Sequence, residues 1–228
     1  MSLRRACTAE FAGTALLLAT VVGSGIMGER LASGNIAIAL LANAIATGAV
    51  LVALIATFAP ASGAHFNPLV TLVELALGRC ASRKAGLFLL AQLAGACAGV
   101  LAAHFMFELP LLQASARVRT GVHQWWSEIV ASFGLLTVIL NVARTRPEFV
   151  GTAVGCYITG AYWFTASTSF ANPAVTIARS LTDTFSGIRP ADAPGFIASQ
   201  LIGAALALAF FKWMEHPAAQ TIEASTHE

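Results

Sequence analysis

Apolar residues run through this chain in blocks too long for the elements of a soluble fold. Six blocks, at about 6–27, 35–57, 85–107, 124–143, 149–168 and 194–214, each hold roughly 20 residues. That length matches a hydrocarbon layer of about 30 Å at 1.5 Å per helical residue. The pattern predicts an all-α integral membrane protein with six transmembrane helices. Two stretches between the blocks, 59–84 and 169–193, behave differently. Each carries a short apolar piece opened by Asn-Pro: Asn67-Pro68-Leu69-Val70-Thr71 and Asn172-Pro173-Ala174-Val175-Thr176. About ten helical residues rise only ~15 Å, so such a piece enters a membrane halfway and returns. Asn caps the first free amides of a helix, and Pro suits its first turn.

The pattern also repeats. Glu10 opens the first block and Glu128 the fourth, while Ala91-Gln92-Leu93-Ala94-Gly95-Ala96 in the third is echoed by Ser199-Gln200-Leu201-Ile202-Gly203-Ala204 in the sixth. The offsets are 118 for the glutamates, 105 for the Asn-Pro pairs and 108 for the glutamines. Three spans per repeat force the second copy upside down. The expected organisation is therefore one domain, 1–228, made of inverted repeats at about 1–113 and 114–228. Such repeats place their functional site near the midplane, at discontinuous helices.

Composition agrees. Hydrophobic residues make up 57% of the chain and charged residues only 11%, against about 25% in a soluble domain. The net charge of +2 gives no reason to expect nucleic acid. Cys7, Cys80, Cys97 and Cys156 are scattered, without the paired spacing of a disulfide framework or metal site. Arg4 and Arg5 precede an apolar run, as in a signal peptide, but that run is long and further spans follow, so it reads as the first membrane helix. With the N-terminus in the cytoplasm, eight Lys and Arg fall inside and five outside. Both termini are expected to be cytoplasmic in the cell inner membrane.

With Ser62-Gly63-Ala64-His65-Phe66-Asn67-Pro68, Asn172-Pro173-Ala174, Glu10 with Gly13-Thr14, and the repeated Gln92 and Gln200, the chain resembles the aquaporin, or major intrinsic protein, family. The resemblance covers nearly the whole chain. It implies two re-entrant half-helices, one pore per subunit, a homotetramer, and small neutral solutes as partners, with no cofactor or metal. The chain is similar to the bacterial branch associated with arsenic resistance, whose members carry Val after the second Asn-Pro-Ala. It departs from the usual family pattern at Leu69, where Ala is usual and a bulkier side chain is expected to tilt or narrow the junction. It also departs at Val175, where Arg is usual.

The resemblance brings Asn67 and Asn172 together at the pore centre. There, two helix N-termini, each worth roughly half a positive charge, repel cations. The plainer reading is that both residues only cap helices. Counted from the signatures, the family's selectivity filter falls on Thr47, Gly160, Ser169 and Val175. These small or aliphatic residues replace the aromatic, His, small polar residue and Arg of water-selective members. The resulting wide bore is expected to admit glycerol, urea or undissociated arsenous acid, the alternative being a water-selective channel. Arg179 lies one helical turn beyond Val175. It either supplies a displaced charge at the outer mouth or snorkels to the interface. Phe170 is a candidate for the same mouth, and His65 for the cytoplasmic approach, as a gate or a wall residue. Glu10 and Glu128 either accept amide hydrogen bonds from the re-entrant loops or couple protons. Proton coupling would make the chain a secondary transporter, the main rival reading. No triad, metal cluster or phosphate loop suggests an enzyme.

Overall fold

The computed structural model describes residues 2–215. The end of the second repeat, 216–228, and with it the expected cytoplasmic C-terminus, lies outside the described residues. Eight helices follow in order: α1 (Leu3–Leu31), α2 (Ile36–Ser62), α3 (Pro68–Ala76), α4 (Ser82–Met106), α5 (Val122–Thr145), α6 (Val150–Phe164), α7 (Pro173–Arg179) and α8 (Ala193–Glu215). By length and composition α1, α2, α4, α5 and α8 can each cross a membrane.

The fifth expected block, 149–168, is helical only to Phe164. A 3-10 turn at Pro147–Phe149 leads into α6, which has 15 residues. Its end is set by side chains of the preceding helix. Ser127 Oγ accepts the Ala166 amide at 3.1 Å, and Gln124 donates to the Ala166 carbonyl at 3.0 Å. The chain is thereby drawn off the helical path into the second re-entrant loop.

Close crossings set the scaffold. α1 packs along α4 and α2, and α5 packs along α8 and α6. At Gly95 a Cβ would stand 2.3 Å from the Phe11 carbonyl oxygen, and at Gly203 one would stand 2.5 Å from that of Ile129. Small residues allow this approach, which in lipid replaces the hydrophobic drive that water would provide. The half-helices α3 and α7 touch one another, and both pack on α4 and α8. Leu69, expected to narrow the junction, points elsewhere. It is fully buried in an apolar cluster with Leu136, Leu140, Ala207 and Phe211, so the extra bulk fills space between α3, α5 and α8.

Candidate functional site

Two short loops, 63–67 and 168–172, meet where α3 and α7 begin. Five residues there adopt positive φ without being glycine: Ala64 at 51°, Phe66 at 48°, Thr168 at 61°, Ser169 at 50° and Ala171 at 44°. Each costs about 1–2 kcal/mol for an L-residue, so the loops need external support, and one buried carboxylate supports each. Glu10 accepts the amides of His65 (2.9 Å) and Phe66 (2.7 Å), and Glu128 accepts those of Phe170 and Ala171 (both 2.9 Å). Gln92 donates to Glu10 at 2.8 Å and to Thr71 at 2.9 Å. Gln200 donates to Glu128 at 2.6 Å and to Thr176 at 2.8 Å. The carboxylates thus face amide donors that a regular helix would have paired internally.

The two asparagines cross-link the loops. Asn67 Nδ2 donates to the Ala171 carbonyl at 2.8 Å, and Asn172 Nδ2 donates to the Phe66 carbonyl at 2.8 Å. Their Oδ1 atoms meanwhile cap the half-helices, Asn67 on Leu69 N and Asn172 on Ala174 N and Val175 N. α3 and α7 therefore meet N-terminus to N-terminus. An Asn amide has two N–H groups, so each side chain keeps one to offer. Both asparagines line a cavity of about 780 Å³, open mouths included, whose other walls are largely aliphatic, among them Leu17, Leu51, Ile55, Val154 and Ile158. Thr47, Ser169 and Val175 line the same cavity, as do His65, Phe170 and Arg179. Ser169 Oγ is buried without a partner.

Comparison with known proteins gives the same frame. A family model described as "Major intrinsic protein" matches residues 1–161. The chain belongs to the major intrinsic protein family. It is 55% identical to "Aquaglyceroporin AqpS" of Rhizobium meliloti (strain 1021), covering 99% of this chain and 97% of that protein. It is 30% identical to "Aquaporin AqpM" of Methanothermobacter marburgensis, covering 94% and 98% respectively. Among solved structures, the aquaglyceroporin from Plasmodium falciparum superposes with a TM-score of 0.72 over 92% of this chain and 96% of that one. At 22% identity this is a likeness of fold.

Within this major intrinsic protein scaffold, one expected position is corrected. Gly160 is exposed, and a Cβ built on it would meet nothing within 4 Å. Tyr162, two residues on, lines the cavity instead and places its hydroxyl 3.3 Å from Thr47 Oγ1. Two residues turn a helix by about 200°, so a count that misses by two selects the opposite face. The connection from α6 to Asn172 is only seven residues, 165–171, which brings the cavity-facing position to ten before Asn172. A sequence signal for Tyr162 exists: Val154, Ile158 and Tyr162 repeat every four residues, and all three line the cavity.

Arg179 does not snorkel. It is 2% exposed, donates from Nε to the Ser186 carbonyl, and holds its guanidinium carbon 3.5 Å from the Phe170 ring centre. A second guanidinium, which no motif in the sequence marks, approaches the same ring. Arg119, in the connection between α4 and α5, has its carbon 5.2 Å from that centre. Burial, and after it the Arg117 charge, lower the pKa of Arg119. His65 sits on the wall with Nδ1 3.0 Å from Thr71 Oγ1 and its ring edge-on to Phe88.

Proposed function

We propose that this protein is a passive channel for small uncharged solutes, with glycerol, arsenous acid, urea and water as its candidates. The observation that carries this reading is the reciprocal Asn67–Ala171 and Asn172–Phe66 bonding. It fixes two amide donors on the wall of a mostly aliphatic cavity. A solute hydroxyl passing there exchanges one water bond for an amide bond, while the two helix N-termini oppose a cation. Thr47, Tyr162, Ser169 and Val175 form the filter in this reading. In this reading Val175 leaves open the space that an Arg would fill, and Arg179, one helical turn on, holds its charge on the same cavity wall. The likeness to the Rhizobium relative, an aquaglyceroporin, supports a pore that takes polyols.

Proton coupling is disfavoured by the carboxylates themselves. Each oxygen of Glu10 and Glu128 already accepts a loop amide, so protonation would break the support of a re-entrant loop. In this reading the chain lies in the inner membrane with its N-terminus cytoplasmic and assembles as a homotetramer. The test is a solute panel in proteoliposomes followed by stopped-flow light scattering. Glycerol and arsenous acid are expected to enter down their gradients without any ion gradient. Entry only under an imposed proton gradient overturns the reading in favour of a transporter, and passage of water alone overturns the wide filter.

A further inference from the structure

Phe185, Ser186 and Gly187 present three successive carbonyls to two guanidiniums. Arg119 NH2 donates to Phe185 O at 3.4 Å and Nε to Gly187 O at 2.8 Å, while Arg179 Nε takes Ser186 O. A fourth carbonyl, that of Ser167 before the second signature, accepts Arg119 NH1 at 3.3 Å. Carbonyls orient a guanidinium but do not cancel its charge. Among the described residues neither side chain has a carboxylate within ion-pair distance. Two carboxylates bond the backbone of this segment rather than its guanidinium: Asp183 accepts the Ala116 amide at 2.9 Å, and Asp192 accepts the Arg119 amide at 2.9 Å and is paired through its other oxygen with Arg189 at 2.7 Å. Both cations lie within cation–π reach of Phe170, whose ring lines the cavity. One arginine would suffice to clamp a ring. Two like charges on one ring repel each other, which folding alone gives no reason to build.

We propose that Arg119 is a specificity-determining residue of this channel, which with Arg179 forms a two-guanidinium collar at the outer mouth that turns cations away. The inference rests on the channel reading above. Mechanistically, the filter can stay wide beside Val175 because the barrier to cations is moved outward and made by field rather than by bore. Two fixed positive charges at the mouth of a low-dielectric passage focus a potential that a neutral solute does not feel.

The experiment uses the full chain in lipid vesicles, with sodium entry read by an entrapped dye and glycerol entry by light scattering. Arg119→Gln is expected to raise the sodium-to-glycerol permeability ratio at least about fivefold. Arg119→Lys keeps the charge without the guanidinium fork and is expected to stay within about twofold of the parent. Should Arg119→Gln fail to fold, Arg119→Met, which keeps the apolar stem, takes its place in the same comparison. A Gln or Met variant with the parental ratio overturns the proposal, as does a Lys variant that leaks as they do, since the bonds rather than the charge would then matter. If the parent carries glycerol and only Arg119 proves silent, the channel reading stands and the collar falls. A parent that carries no glycerol overturns both.

Discussion

Tyr162 holds its hydroxyl 3.3 Å from Oγ1 of Thr47, joining α6 to α2 at the cavity wall. Thr47, Tyr162 and Val175 line the same cavity, and in the proposed filter the ring of Tyr162 bounds the passage. Tyr162→Ala is expected to raise permeability to polyols larger than glycerol several-fold, by about 1 kcal/mol off the barrier. Gly160→Ala, on the exposed side of the same helix, is expected to leave the polyol series as it is. Stopped-flow uptake across glycerol, erythritol and ribitol measures both, and equal effects of the two variants would contradict the placement of Tyr162.

Val175 is the position where bulk and charge would return. Val175→Arg adds a guanidinium at the cavity wall, close to Phe170 and Arg179. Glycerol uptake is expected to fall by about tenfold or more, equivalent to roughly 1.4 kcal/mol in the barrier, with water flux reduced less. Unchanged glycerol uptake in correctly assembled protein would remove Val175 from the filter.

Glu128 accepts two amides and the Gln200 side chain, all buried. Glu128→Gln turns one acceptor into an NH₂ donor facing an N–H donor. The expected loss is about 1–3 kcal/mol of stability for the donor left unpaired, seen as a lower unfolding midpoint in detergent. Glu10→Gln is expected to behave alike, since Glu10 has the same pattern with His65, Phe66 and Gln92. Both variants should lose stability without any change in the response of solute flux to a proton gradient. A selective loss of proton-driven flux in Glu10→Gln would instead mark a coupling carboxylate.

Asn67 offers a different failure. Asn67→Asp keeps the cap on Leu69 N but loses the N–H donated to Ala171 O. A carboxylate then faces a carbonyl oxygen at the junction of the half-helices. Two outcomes are expected together: a destabilisation of about 1–3 kcal/mol, and a higher sodium-to-glycerol permeability ratio, because a negative charge offsets the helix N-termini. A stable variant with the parental ratio would mean that the junction does not act on ions.

Gly203 tests the scaffold apart from the site. Gly203→Leu drives a branched side chain into the Ile129 carbonyl, where even a Cβ stands 2.5 Å away. Backbone on the far side cannot yield, so α5 and α8 must separate. Loss of folded protein in size-exclusion chromatography is expected, whereas wild-type yield would show that the helices do not cross there.

Much of this protein follows from its sequence alone. Long apolar blocks dictate membrane-crossing helices, because lipid leaves backbone groups no partner outside their own helix. Asn-Pro followed by a short apolar piece dictates half-helices, since capping and proline's fixed φ are local effects. The repeats of Glu10 with Glu128 and Gln92 with Gln200 foretold the loop supports, because each half must satisfy the same exposed amides. What the sequence left open depends on rotation and on chain segments far apart in number. The cavity-facing residue of α6 is Tyr162 because a seven-residue connection sets the phase of that helix. Leu69 fills a core because α5 and α8 lie beside it. Arg179 is buried, and Arg119 joins it, because the α4–α5 connection folds down onto residues 185–187. A contact made across 60 residues of chain leaves no periodic trace in the sequence, and only the folding of these connections against one another decided it.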